Sequence, residues 1–164
     1  MKRARAGAGS RLAMSLALLA LAAMSLEAQN PKSVLTLTGT VVFPAPTAND
    51  YAAGFINSTS GVRFTVDATV GNEPHTTTIL IRSLSATLGG GKVIGDLQWR
   101  RSDLAIWTSI SLANVQVEQR VQVRNVLNDP WNNTIFFRML LNWTTDPPAT
   151  YSANYQLTLS QTVP

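Results

Sequence analysis

Apolar and polar residues alternate along most of the chain. In Val34–Phe43, leucine, valine and phenylalanine share one face and threonine the other, and Val62–Val70 and Tyr151–Thr162 repeat this pattern. A period of two with many β-branched residues is typical of half-buried strands. Further β-rich stretches are Thr76–Leu88, Val93–Arg100, Ala105–Leu112, Val115–Val126 and Thr134–Thr144. In Val115–Val126, we expect one face to hold Val115, Val117, Gln119, Val121 and Val123.

Turn-forming residues separate these stretches. We interpret Thr47–Ser60 as a long loop with a short strand near Gly54–Asn57, and we place turns at Gly71–Pro74, Asn128–Pro130 and Asp146–Pro148. No segment shows an apolar stripe of helical period with caps at its ends. Seven to nine short strands without helices predict an all-β fold, either a sandwich or a barrel, and we favour an antiparallel sandwich of two sheets.

The first residues have the layout of a secretory signal peptide. Basic residues precede an uncharged apolar run, Leu12–Leu26, and Ala28 follows as a small residue suited to cleavage. A retained membrane anchor is the alternative, but the run is shorter than the roughly 20 residues that span a bilayer. We therefore expect a signal peptide at 1–28 and one β-sandwich domain at 29–164, with no membrane span after cleavage and a secreted, periplasmic or cell-surface location.

Removing the signal changes the interpretation of charge. The chain has 13 basic and 9 acidic residues. Four of the basic residues and Glu27 lie in the signal, so nine and eight remain and the predicted net charge is +1. A surface that neutralises phosphates needs many more basic residues on one face. We therefore expect no nucleic-acid partner.

The composition argues against most catalytic and metal sites. There is no cysteine, and His75 is the only histidine, which we expect in an exposed turn after Glu73 and Pro74. A zinc site needs several ligands, so we expect no metal and no cofactor. Most carboxylates fall in predicted turns, where aspartate is favoured for local hydrogen bonds. An exported hydrolase with two convergent carboxylates remains an alternative, but we expect no enzyme.

The aromatic residues have two interpretations. Trp99, Trp107 and Trp131 could form a platform on which sugars stack, or they could pack in the core, as tryptophan in strands often does. Trp131 lies in the turn-like sequence DPWNN, so we expect it to be the most exposed tryptophan.

The first predicted strand is a candidate for pairing at a sheet edge. Leu35, Leu37, Val41 and Phe43 lie on its apolar face, close to the predicted new N-terminus. Such a segment can pair inside its own domain or with the exposed edge of a neighbouring protein, where backbone hydrogen bonds give affinity and alternate side chains give register.

The C-terminal stretch Phe136–Thr162 resembles the ending of bacterial fimbrial-subunit-like and spore-coat-U-like secreted domains. The matching positions are Trp143, Asp146, Pro147, Tyr151, Tyr155, Leu157 and Leu159. The resemblance implies an immunoglobulin-like sandwich with a structural or adhesive role at the cell surface and no catalysis. Many fimbrial subunits carry a disulfide near the first strand, which this chain lacks.

Two functions are therefore expected as alternatives. The first is a fimbrial-like structural or surface protein that pairs through a strand edge with itself or with a related surface subunit. The second is an exported carbohydrate-binding or adhesin module whose exposed aromatic residues bind glycans. Under the first hypothesis, Leu37→Asp should disrupt folding or assembly.

Overall fold

The computed structural model describes residues 32–69, 74–89, 91–122, 131–146 and 151–162. It contains one short helix, α1 (Ala48–Ala53), and a 3₁₀ turn at Ile94–Asp96. The strands are β1 (Lys32–Thr38), β2 (Phe55–Asn57), β3 (Val62–Thr69), β4 (His75–Ser83), β5 (Thr87–Gly89), β6 (Lys92–Val93), β7 (Leu97–Arg101), β8 (Thr108–Ser109), β9 (Val115–Gln122), β10 (Trp131–Leu140) and β11 (Tyr155–Thr162).

The strands form two main antiparallel sheets. A six-stranded sheet has the order β1-β3-β10-β7-β8, with β2 also paired to β10, and a three-stranded sheet has the order β11-β4-β9. A small hairpin, β5-β6, completes the set. The prediction of an all-β antiparallel sandwich is confirmed. The described strands outnumber those expected because Thr76–Leu88 and Val93–Arg100 each divide into two, the second at the 3₁₀ turn.

The core lies between the two sheets. Strand β4 buries every second residue from His75 to Ser83, and β10 buries alternate residues facing it. The largest fully buried side chains include Trp131, Phe64, Phe137, Ile79 and Ile81. Burying such side chains is the main favourable term in folding, at about 2 kcal/mol for each. Since the chain has no cysteine, this packing is not reinforced by a disulfide.

A β-bulge in β9 corrects the predicted face of that strand. Pairing with β4 shifts register where Ile79 faces Glu118 and Leu80 faces Gln116, which leaves Val117 as the extra residue. An extra residue exchanges the two faces of the strand beyond it. Glu118 and Arg120 therefore turn towards the core, and Val121 is 67% exposed. The expectation that Gln119 and Val121 share the face of Val117 was wrong, and Val123 lies outside the described residues.

The predicted first strand ends earlier than expected. Strand β1 stops at Thr38 because Gly39 has a φ of 97°, a left-handed conformation that glycine adopts without strain. A Cβ at Gly39 would also lie 2.7 Å from the carbonyl oxygen of Gly61. The chain then continues without strand pairing through Val41 and Phe43 towards α1.

Helix α1 was not predicted, although its start carries a recognisable signal. Thr47 and Asp50 form a capping box, in which Asp50 Oδ2 accepts from Thr47 N at 2.8 Å and the Asp50 amide donates to Thr47 Oγ1 at 3.4 Å. Hydrogen bonds from Thr47 lower the pKa of the Asp50 carboxyl. Strand β2 follows at the short strand that the sequence predicted near Gly54–Asn57.

Close backbone approach at Gly61 provides a test of this packing. A Cβ there would lie 2.5 Å from Thr134 Cγ2 and 2.9 Å from the Ile135 carbonyl oxygen. We expect Gly61→Ala to lower the free energy of unfolding by about 2 kcal/mol, since β10 must shift to make room. Urea denaturation measures this. Gly95→Ala is the matched control, because its Cβ would meet nothing within 4 Å, and equal losses in both variants would contradict the prediction.

Candidate functional site

The residues proposed for strand-edge pairing lie along one side of the sandwich. Strand β1 pairs with β3 from Lys32 opposite Thr69 to Thr38 opposite Arg63, so this segment pairs within its own domain. Leu35, Val41 and Phe43 are partly buried against the core, as their predicted apolar face requires. Leu37 is 43% exposed, so it contributes less to the core than the alternation suggested.

Beyond Lys32 at its start, the outer edge of β1 lacks the features that usually prevent edge-to-edge association. Its register with β3 has no bulge, and after Lys32 at its first position the stretch Ser33–Val42 contains no charged residue and no proline. Val34 points outward and is 57% exposed. Charged side chains, prolines, bulges and short length are the usual protections of an edge strand. Among the described residues, no strand pairs with this edge.

Strand β11 forms a second edge of this kind, on the other sheet. Tyr155–Thr162 carries no charge and no proline, and it pairs with β4 without a register shift. Strand β1 runs close to β11, so the two edges lie on the same side of the sandwich. We call this side the β1/β11 seam. The opposite edges are protected: β8 has only two residues, and β9 carries the bulge together with Glu118 and Arg120.

A cavity of about 350 Å³ opens where the segments flanking the seam meet. The segment after β1 lines it on one side, and the segment before β11 lines it on the other. Its floor consists of core side chains, including Leu88, Leu97, Phe137 and Met139. The Tyr155 ring lies 5.0 Å from that of Phe137, and burial raises the pKa of the Tyr155 hydroxyl. The cavity therefore connects the seam with the apolar core.

The predicted aromatic platform is divided by the fold. Trp131 is fully buried in β10 and Trp99 is 4% exposed, so neither presents a ring face to a ligand. The prediction that Trp131 is the most exposed tryptophan was wrong, because Trp131 begins β10 and is buried there. The exposed tryptophan is Trp143, whose ring stacks on Tyr51 at 4.4 Å.

Trp107 is the one predicted ligand aromatic that lies at the surface. It lies just before β8, against the outer face of the six-stranded sheet. The guanidinium carbons of Arg100 and Arg138 lie 5.1 Å and 4.7 Å from its ring centre. The groove around these three side chains has a volume of about 370 Å³.

A charged cluster joins the two sheets behind β9. Arg101 of β7 reaches across to Glu118, with Nη1 at 3.3 Å from Oε2, and Arg120 Nε lies 2.9 Å from Glu118 Oε1. Arg101 also binds both carboxylate oxygens of Asp103. The hydrogen bonds from Arg101 are the main cause that lowers the pKa of Asp103 to about 2, and a bond from Asn133 adds to the effect. This cluster supplies opposite charges to the groups that the bulge turns inward, while Glu118 Oε2 accepts no hydrogen bond from the described residues.

A second ion pair is buried near the cavity. Lys92 Nζ lies 2.6 Å from Asp146 Oδ2 and 3.1 Å from Asp96 Oδ2, and the Lys92 side chain is 2% exposed. Asp146 Oδ2 also accepts from the Asn142 amide at 2.7 Å. Burial alone would lower the pKa of Lys92, but hydrogen bonds to Asp146 and Asp96 outweigh it and raise that pKa. Asp146 therefore anchors the turn after β10, which explains why a carboxylate stands there.

His75 is a further correction. It begins β4 and is 4% exposed, whereas the sequence predicted an exposed turn.

In the described ranges, no three histidine, cysteine, aspartate or glutamate residues lie close enough to hold a metal ion. The same ranges contain no helix long and apolar enough to cross a membrane. The predicted signal peptide lies outside the described residues.

Comparison of the chain with protein-family models found no match, and comparison with curated proteins found none either. The resemblance to fimbrial-subunit-like and spore-coat-U-like domains therefore stays a prediction.

Proposed function

We propose that this chain is an exported structural protein of the cell surface, without catalytic activity, that associates with a second copy of itself through the β1/β11 seam. The observation that carries the proposal is the contrast between the two sides of the sandwich. One side ends in a two-residue strand and a bulged, charged strand, and the other ends in two regular edges whose only charged residue is Lys32, at the start of β1.

The chemistry of the seam favours an extended polypeptide as the partner. An unpaired edge offers a row of backbone N–H and C=O groups, which another strand can bind without any special side chain. The outward Val34 and the partly exposed Leu37 add apolar contacts on either face of β1. The partly buried Leu157 and Leu159 line the neighbouring edge.

A second copy is favoured over an unrelated partner for two reasons. The predicted net charge of +1 gives little repulsion between copies. The two edges also present the same kind of residues, alternating leucine or valine with threonine, so β1 of one copy can pair with the same strand of another across a twofold axis.

Adding charge to the edge should abolish this association. We expect the full chain, purified after export, to form dimers or larger species in size-exclusion chromatography with light scattering as its concentration rises. Val34→Lys and Leu37→Asp should both shift it to the monomer, because a charge on an edge strand opposes pairing. Neither side chain is buried, so thermal unfolding should show a folded protein for both variants.

Val121→Lys is the matched control, since Val121 is also an exposed apolar residue, at 67%, but lies on the protected β9. It should associate as the unmodified chain does. A protein that stays monomeric at every concentration would contradict the proposal, and so would an equal loss of association in the control.

A further inference from the structure

Five side chains on the outer face of the six-stranded sheet form one alternating array of aromatic rings and guanidinium groups. Its order is Phe55, Arg138, Trp107, Arg100 and Phe136. Successive separations between guanidinium carbon and ring centre are 5.2, 4.7, 5.1 and 5.6 Å. Each separation is within the roughly 6 Å at which a cation is attracted to an aromatic face. We call these residues the arginine–aromatic array.

The sheet register places the array. Phe136 and Arg138 are alternate residues of β10 and share its outward face, opposite the buried Ile135 and Phe137. Arg100 of β7 lies directly across from Phe136. The array is thus built on the strands β2, β7 and β10 and on the loop before β8, and its positions do not depend on the seam.

The two arginines of the array have no carboxylate partner in the part of the chain that the structure describes. Among the described residues, no aspartate or glutamate forms an ion pair with Arg100 or Arg138, whereas Arg101, on the opposite face, has two. Arg138 Nε donates to Gln98 Oε1 at 2.6 Å, and Arg100 Nη1 donates to the Leu104 carbonyl oxygen at 2.8 Å.

Within the described residues, most N–H donors of the two guanidinium groups have no hydrogen-bond acceptor. Each guanidinium has five N–H donors. The Arg100 Nε is shielded from solvent and has no acceptor in the described part of the chain. The positive charges of Arg100 and Arg138, both beside the Trp107 ring, repel each other, and attraction to the three aromatic faces offsets only part of this repulsion. An anion in the groove would neutralise the charge of the two guanidinium groups and accept hydrogen bonds from their remaining N–H groups.

We propose that the groove beside Trp107 binds an acidic saccharide through a carboxylate or sulfate group. The guanidinium groups would bind the acid, and the exposed parts of Trp107, Phe55 and Phe136 would pack against the carbon face of the sugar ring. A volume of about 370 Å³ suits a short oligosaccharide segment. A nucleic acid is disfavoured, because its affinity depends on many phosphate contacts and the array has two cations.

The proposal is tested by isothermal titration of the full chain with trigalacturonate and with a heparin tetrasaccharide. Maltotriose is the neutral control, and a hexaglutamate peptide is the control for acidity alone. We expect at least one of the two acidic sugars to bind, binding to weaken with added salt, and neither control to bind. Failure of both acidic sugars, or equal binding of the peptide, would overturn the proposal.

Variants then locate the site. Arg100→Gln and Arg138→Gln should each weaken binding of the acidic sugar by at least about tenfold, because each removes a charge-assisted hydrogen bond. Arg100→Lys should weaken this binding less than Arg100→Gln does, since lysine keeps the positive charge but lacks the planar set of N–H donors. Arg82→Gln is the matched control: Arg82 Nε also donates to a glutamine, Gln156, but it lies on the outer face of the other sheet.

If the Arg82 variant loses as much affinity as the array variants, or if the array variants bind normally, the array only covers the sheet and the proposal is wrong. Circular dichroism of each variant confirms that the fold is intact. The assembly state is unaffected by this test, because the array lies away from the β1/β11 seam; saccharide binding and self-association can therefore fail independently.

Discussion

Replacing Lys92 with methionine should lower the free energy of unfolding by about 3 kcal/mol, because it leaves the buried carboxylate of Asp146 without its cation. The Lys92 and Asp146 side chains are 2% and 7% exposed, so water cannot replace the lost partner. The Asn142 amide would remain as a hydrogen-bond donor to Asp146 Oδ2. Urea denaturation at pH 7, followed by circular dichroism, measures the loss.

The double variant Lys92→Met with Asp146→Asn separates charge from packing. Asparagine keeps an oxygen for the Asn142 amide but carries no charge, so the double variant should be more stable than Lys92→Met alone. Ser109→Ala, at an exposed position of β8, is the control and should change stability little. A double variant that is less stable than the single one would show that the buried charge is not the cause.

The pH dependence follows from the raised pKa of Lys92. A group whose pKa is higher in the folded protein contributes its full stabilisation below its unfolded pKa, about 10.4 for lysine, and loses it as the pH rises through the folded value. The stability difference between the unmodified chain and Lys92→Met should therefore stay constant from pH 7 to pH 10 and shrink only above that range.

Much of the fold could be predicted because strand periodicity is a local signal. The alternation in Val62–Val70 marks β3 within one residue, and the run after Thr134 marks the strand that becomes β10. Both strands pack one face against a core, so burial and sequence pattern agree. The division of Val93–Arg100 by a 3₁₀ turn was not predictable in this way, since three residues are too few to show a period.

The two largest errors share a cause in long-range pairing. The bulge at Val117 depends on how β9 meets β4, and nothing near Val117 in the sequence marks it. Trp131 follows Asp129 and Pro130, which are local turn signals, yet it pairs with Val66 of β3 and is buried by tertiary contacts. Local propensity is overridden at both places by the packing of distant strands.

The candidate sites were predictable to different degrees. The β1/β11 seam follows from uncharged alternating strands near the ends of the domain, which the sequence shows directly. The arginine–aromatic array combines β2, β7, β10 and a loop, and Trp107 was the only one of its members that the sequence singled out. The sequence does place Phe136 and Arg138 on the same face of one strand. That they belong to a larger array could be recognised only once β7, which carries Arg100, was known to lie beside β10.

Trp131→Ala should be the most destabilising tryptophan substitution, lowering the free energy of unfolding by about 4 kcal/mol. The side chain is fully buried, and the guanidinium carbon of Arg120 lies 5.0 Å from its ring centre. Truncation would leave a large cavity between the sheets and remove the ring beside an inward-facing charge. Guanidinium denaturation followed by circular dichroism measures the loss without relying on tryptophan fluorescence.

Trp143→Ala is the matched control, since Trp143 is 62% exposed and its ring stacks on that of Tyr51 with the centres 4.4 Å apart. Trp143→Ala should lower the free energy of unfolding by about 1 kcal/mol, which is the contribution of one aromatic pair. Trp131→Phe should fall between the two, because it keeps most of the ring and removes an indole N–H that has no acceptor among the described residues. The reverse order, with Trp143→Ala the more damaging, would mean that DPWNN is an exposed turn and that β10 does not begin at Trp131.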